Sequence, residues 1–260
     1  ATDNRPFFTN FIKWKKARST YEALGRNLSV LFQGKFLLAL LFVQASAAAF
    51  ILILAPVWVF RREKASPRYP LTYVLCYFRL IGAAFIFIEI VLIQKFILFL
   101  GQPLYSIAVV IFSLLSSSGW GSLSSLRILG NDPVRRLKRL LVFIAGLAAF
   151  YPVLLPLLFE EFLGVGLGSK IMITFISVFP LGFMMGFPFP TGIRLLERTQ
   201  RRLLPWAWSA NAVATVIGAV LAQIVALSLG YKFVLGLAAG GYLAVFFLLR
   251  FTDHGHKADA

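Results

Sequence analysis

The sequence predicts an all-α fold: a polytopic transmembrane helix bundle of about seven spans behind a basic, interfacial N-terminal segment. Three observations predict it. The 260 residues are 59% hydrophobic, with a mean hydropathy of +0.83, where a soluble domain is nearer half apolar. The apolar residues are gathered in nearly uncharged runs of roughly 18 positions or more, long enough for a helix to cross a hydrocarbon core. Nearly all the charges fall outside those runs, with 26 Lys and Arg against 10 Asp and Glu in the chain. Backbone groups in lipid must be hydrogen-bonded internally, which selects helices. A β-barrel would need short alternating segments, and these runs are continuous.

Residues 1–35 are polar and basic, and "FIKWKKAR" suits a membrane surface with Trp14 at headgroup level. The first span is expected from about Phe36 to Phe60, and "RREKASPR" follows it. The second runs from about Leu71 to Ile93, or on to Leu100, and ends at the turn "GQP". The third covers about Leu104 to Leu123, and the strongly basic "RILGNDPVRRLKR" comes after it. The fourth covers about Leu140 to Phe159, where Pro152 and Pro156 are expected to bend it. The net acidic "EEFLGVGLGSK" leads to the fifth, about Ile171 to Phe189. The sixth and seventh cover about Trp206 to Leu229 and Phe233 to Phe251. The domain plan is therefore an interfacial segment over 1–35, a transmembrane domain over 36–251 and a polar tail over 252–260. The first residue is Ala1, so a processed chain or a segment of a longer one is expected.

Positive charge alternates from one connection to the next. Arg61, Arg62, Lys64 and Arg68 form one basic group, Arg127, Arg135, Arg136, Lys138 and Arg139 the second, and Arg194, Arg198, Arg201 and Arg202 the third. The positive-inside rule places all three in the cytoplasm. In "GFPFPTGIRLLERTQRR" the prolines Pro188 and Pro190 are expected to stop the fifth helix, Gly192 to let the chain turn, and the arginines to hold that end at anionic headgroups. Seven spans with a cytoplasmic C-terminus put the basic residues 1–35 outside, against the same rule. Either that segment is external, or one run does not cross. The stretch "QKFILFLGQP" is the candidate for a re-entrant turn.

The same inventory excludes several chemistries. Cys76 is the one cysteine, so no internal disulfide or CxxC site exists. Both histidines, His254 and His256, stand in the tail, leaving no spanning histidine for a haem and no Ser-His-Asp set. No HExxH or phosphate-loop pattern is present, and "SSSGWGSLSS" reads as close helix packing. The sequence presents no recognisable catalytic, metal or cofactor residue. The net charge of +16 sits outside the apolar runs, in the N-terminal segment and the inter-span loops, pointing to anionic lipid and not to nucleic acid.

Two kinds of position remain. Small residues recur every fourth place in Ala210, Ala214, Gly218, Ala222 and Ala226, and the pairs Gly182/Gly186 and Gly236/Gly240 repeat the spacing. Such faces let helix backbones approach, within one bundle or between two copies. Asn211, Thr215 and Gln223 add a polar edge suited to interhelical hydrogen bonds. Arg79, Glu89 and Lys95 lie within one apolar run. Arg79 and Lys95 are near its ends and can snorkel. Glu89 lies mid-run and reads as a carboxyl paired to Asn211 or to a serine of "SSSGWGS", as a proton or cation carrier, or as a contact for a partner subunit.

Four stretches, taken in order, carry a resemblance: "ATDNRPFF", "FIEIVLIQKFILFLGQPLYSIAVVIFSLLSSSGWGSLSS", "PLGFMMGFPFPTGIRLL" and "PWAWSANAVATVIGAVLA". Together they resemble the C-terminal membrane region of spermidine-synthase-like polytopic bacterial membrane proteins, over most of the chain from Ala1 to about Leu249. That family joins membrane helices to a Rossmann-type aminopropyltransferase-like domain that binds a nucleotide such as decarboxylated S-adenosylmethionine. No GxGxxG after a strand and no alternating β/α pattern occurs here, so the resemblance carries over the membrane module without its catalytic residues. It implies a multi-pass protein of the bacterial inner membrane, an anchor or accessory subunit. Its partners would be other subunits or a soluble aminopropyltransferase-like domain. The basic, proline-fixed stretch after the fifth span is itself a candidate contact for a partner or for lipid, through Arg194, Arg198, Arg201 and Arg202. The alternative is a transporter-like domain for a polyamine or other small cation, motivated by Glu89 and the proline-broken fifth helix.

Overall fold

The structure is a computed structural model that describes residues 34–51, 55, 70–130 and 132–258, with side chains from Leu37 to Arg250. The basic group Arg61 to Arg68 and the interfacial segment before Gly34 lie outside the described residues. Every element described is helical, and no strand occurs among the described residues. In chain order the helices are α1 (Gly34–Ala49), α2 (Leu71–Leu100), α3 (Pro103–Leu129), α4 (Pro133–Phe162), α5 (Leu167–Met185), α6 (Pro188–Thr199), α7 (Leu204–Leu229) and α8 (Tyr231–Ala258). A short 3₁₀ turn, Arg201–Leu203, joins α6 to α7. Six helical stretches are long and apolar enough to cross a membrane, with α5 and α6 together forming one of them, Leu167–Thr199. The chain is a multi-pass membrane protein. α1 is a shorter apolar helix packed on α7, and the remainder of the first expected span falls among residues that are not described.

The second expected span is one continuous helix. α2 has 30 residues, about 45 Å at 1.5 Å per residue, which exceeds a hydrocarbon core of about 30 Å and leaves no re-entrant turn inside it. It ends at Gly101, whose φ of +78° closes the helix with a bond from its N–H to the Ile97 carbonyl (3.0 Å). Pro103 opens α3 at once, since its missing N–H would be unpaired in a first turn anyway. Ser106 Oγ then donates to the Ile93 carbonyl across the hairpin (2.6 Å). Further along the chain a single residue, Gly230 at φ +92°, separates α7 from α8.

The second basic connection is shorter than expected. Asp132 accepts from the Arg135 N–H (3.3 Å) as N-cap, and Pro133 occupies the first helical turn, so Arg135, Arg136, Lys138 and Arg139 belong to α4. Arg136 Nη1 reaches back to the Ile128 carbonyl (2.7 Å), covering a carbonyl that the end of α3 leaves open. α4 continues unbroken through Pro152 and Pro156. At the C-terminal side the helical backbone of α8 extends to Ala258, beyond the expected start of the polar tail.

α2 is the central helix. It packs against α3, α7 and α8, while α5 lies on α3 and α4 on α8. Its buried face runs through Val74, Phe78, Ile81, Ile88, Val91, Leu92, Phe96 and Phe99 at helical spacing. Large apolar side chains also face outward, with Leu123 81% exposed and Leu104 74%, as lipid-facing surface requires. The charged ends segregate. Arg135, Arg136, Lys138 and Arg139 on α4, Arg194 to Arg202 around α6, and Arg250 on α8 share one end with the start of α2. Glu160, Glu161, Lys170 and Lys232 belong to the other end.

Candidate functional site

The site is built on α6. Gly186 and Phe187 lie in the right-handed helical region between α5 and α6, and Pro188 begins the new helix directly. The prolines therefore start a helix as well as stopping one. Gly192 is a correction to the expected turn, because it lies inside α6. Its role is close approach: a Cβ there would lie 2.6 Å from Tyr77 Cε1 and 2.9 Å from Phe78 Cζ. Tyr77 Oη donates to the Pro188 carbonyl (2.7 Å), and Phe78 meets the Phe189 ring edge-on at 5.5 Å. Phe189 in turn meets Trp208 of α7 at 4.7 Å. These contacts pin α6 across the basic ends of α2 and α7.

Pinned there, α6 closes one side of a cleft with about 850 Å³ of space, part of it open to the surroundings. Five helices contribute: Tyr73, Tyr77 and Phe78 from α2, Ser125, Leu126 and Leu129 from α3, Val134 and Leu137 from α4, Thr191, Arg194, Leu195 and Arg198 from α6, and Leu249 from α8. The walls are apolar. The basic side chains that line it are Arg194 and Arg198, one helical turn apart, and no carboxylate lines it among the described residues. Arg194 Nη2 donates to Ser125 Oγ (2.6 Å) and more weakly to Thr191 Oγ1 (3.5 Å). Both acceptors are oriented by their own hydrogen bonds. Ser125 Oγ donates to the Ser122 carbonyl (2.5 Å) and Thr191 Oγ1 to the Phe187 carbonyl (2.7 Å). Their lone pairs are left for the guanidinium, which is thereby fixed at the cleft.

Arg201 and Arg202 lie in the 3₁₀ turn and do not line the cleft, and Arg201 Nε donates to the Glu197 carbonyl (3.2 Å). Tyr73, Tyr77, Ser125 and Thr191 carry no signal in the sequence that marks them as cleft residues. A tyrosine pair near a span end reads as an aromatic belt, and a serine in a Ser-rich run reads as packing.

Glu89 is half-buried on α2, and no hydrogen bond or ion pair reaches its carboxyl among the described residues. The expected pairing with Asn211 is not formed. Asn211 packs two turns away at Gly82, where a Cβ would lie 2.7 Å from Asn211 Oδ1. Two of the serines bond their own helix, Ser117 Oγ donating to the Ser113 carbonyl (2.6 Å) and Ser118 Oγ to the Leu115 carbonyl (3.4 Å). Thr215 bonds its own helix at the Asn211 carbonyl (2.9 Å) instead of a neighbour. Arg79 is exposed, as snorkelling requires, whereas Lys95 is buried with Nζ 5.9 Å from the Tyr231 ring centroid. Lys95 lines a second cleft with Phe99, Phe159 and Glu160 at the opposite end of the bundle.

The small residues divide. A Cβ on Gly182 would overlap Ser117 Oγ, one on Gly186 the Ser118 carbonyl, and one on Gly121 the Phe183 carbonyl, so α3 and α5 touch backbone to backbone. A Cβ on Gly218 would meet Ile86 at 2.8 Å, Ala210 and Ala222 are fully buried, and Ala214 is half-buried. Gly236 and Gly240 point outward, with nothing within 4 Å of a Cβ built there, and a Cβ on the neighbouring Gly241 would meet Ala84 instead (3.2 Å). Among the described residues no group of three or more His, Cys, Asp or Glu could hold a metal. No family model, curated protein or solved structure matches this chain.

Proposed function

We propose that the chain is an integral membrane anchor and interaction module whose basic end presents a rigid platform to a partner. The partner class that the resemblance suggests is a soluble aminopropyltransferase-like domain or the other subunits of a larger membrane assembly. The setting it suggests is a bacterial inner membrane with the basic end in the cytoplasm. The observation that carries the reading is the construction of that end. α6 is latched to α2 by Tyr77 and Pro188, so Arg198 projects from a fixed helix, and Arg201 and Arg202 follow in the short 3₁₀ turn that joins it to α7. A fixed array of charges favours partner selection and rapid encounter. Arg201→Glu with Arg202→Glu tests it: a co-purifying partner is lost from the double variant while cysteine labelling shows unchanged topology. Retained partner with unchanged topology contradicts the reading.

A second reading is favoured by Glu89 alone. A half-buried carboxyl without a partner among the described residues, at mid-span, is where a transporter for a polyamine or other small cation would place a coordinating group. Against it, Gly82 with Asn211 and Gly218 with Ile86 close the α2–α7 contact on the basic side of Glu89. Proteoliposomes given radiolabelled spermidine decide the matter. Flux above empty vesicles, abolished by Glu89→Gln, supports transport, and no flux above empty vesicles removes it.

A further inference from the structure

We propose that the cleft beneath α6 is a specific site for an anionic phospholipid. A short length of one acyl chain lies among Phe78, Leu129, Leu137 and Leu195, and the phosphate lies on Arg194 and Arg198. No protein partner is needed for this. The cavity itself is small, about 110 Å³, enough for a short length of one acyl chain, and it opens on one side, so the rest of the molecule stays outside; the side chains around it are mostly apolar. A water-soluble anion such as a nucleotide would find, beyond the arginine pair, only four hydroxyls, of which those of Tyr77, Ser125 and Thr191 already donate to backbone carbonyls. A polyamine would meet two cations and no carboxylate, since neither Glu197 nor Asp132 lines the cleft. An amphiphile with an anionic head satisfies both halves. Basic pockets between helix ends at a membrane surface suit such headgroups.

Two details favour a site over a chance gap. Arg194 spends Nη2 on Ser125 and Thr191, and among the described residues its remaining guanidinium N–H groups have no protein acceptor. A phosphate accepts two such parallel donors well. The mouth also adjoins lipid: Leu126, which lines the cleft, is 62% exposed beside the outward-facing Leu123 and Ile128. A chain can thus enter sideways from the bilayer without leaving an apolar environment.

The test uses the full chain, delipidated in mild detergent, and a phosphatidylglycerol probe with a photoreactive acyl chain. Unlabelled phosphatidylglycerol, phosphatidylcholine with the same chains and inorganic phosphate serve as competitors. The expected result is cross-linking mapped to α3, α4 and α6 around Leu129, Leu137 and Leu195. Phosphatidylglycerol is expected to compete at least tenfold better than phosphatidylcholine, and inorganic phosphate not at all. Arg198→Gln, an exposed position whose change spares the fold, is expected to weaken the probe about tenfold. Leu137→Trp should exclude the acyl chain and abolish the cross-link. Equal competition by the two lipids, displacement by inorganic phosphate alone, cross-links confined to outward faces such as Phe112 and Leu115, or a protein occupying the cleft would each overturn the proposal.

Discussion

The Tyr77 hydroxyl donates to the carbonyl of Pro188, 2.7 Å away and 111 positions on in sequence. Through that bond, the start of α2 holds the start of α6, and the arginines of α6 acquire a fixed position. The contact is buried, so removing the donor puts no water in its place. Tyr77→Phe is expected to cost about 1–2 kcal/mol, in the range for one buried hydrogen bond. Hydrogen exchange in detergent checks this. Protection is lost first over residues 188–199 while α2 and α7 keep theirs.

Gly192 tests the same latch from the other side. A Cβ there collides with the edges of two buried rings, and Phe78 cannot retreat without disturbing Phe189 and, through it, Trp208. Gly192→Ala should lower thermal stability by about 1–3 kcal/mol, as overpacking does. It should also release α6 to added protease at Arg198 or Arg201.

The glycine pairs give a contrast on matched chemistry. Gly186→Ala meets the Ser118 carbonyl, a backbone atom that cannot rotate away, and is expected to part α3 from α5 with a clear loss of melting temperature. Gly240→Ala meets nothing and is expected to leave the monomer's melting temperature unchanged. Sedimentation of Gly240→Leu then asks a separate question. A shift from dimer to monomer would assign the outward Gly236/Gly240 face to contact between copies.

Topology follows from the charge segregation. With Cys76 replaced by Ser, a cysteine at Gln200 should react with an impermeant reagent from the same side as one at Gly130. A cysteine at Gly166 should react from the opposite side. Labelling of Gln200 and Gly166 from one side would remove a crossing by α5 and α6.

Much of this architecture can be read from composition and spacing, because lipid imposes few choices. From Leu71 onward, each long apolar run forms a helix between basic or glycine-containing turns. Local signals at the helix ends are harder to read. "GNDPVRR" reads as a loop by its charge, yet Asp132 before Pro133 is an N-cap followed by a first-turn proline, and the helix starts there. Pro188 and Pro190 read as an end because a missing N–H breaks a helix interior, while the same property suits the first turn of α6. The cleft leaves no trace in the sequence. Its walls come from five helices, and no local pattern links Tyr77 to Pro188 or Ser125 to Arg194. Glu89 stands out in the sequence as a charge in an apolar run, but its lack of a partner among the described residues depends on where Asn211 and Ser117 point.

The most direct measurement of the central claim is native mass analysis of the chain extracted from its source membranes in mild detergent. The expected mass exceeds that of the 29.0 kDa chain by a stoichiometric protein partner, which Arg201→Glu with Arg202→Glu removes while leaving the topology intact. A lone chain in both the wild type and the variant would contradict the anchor reading.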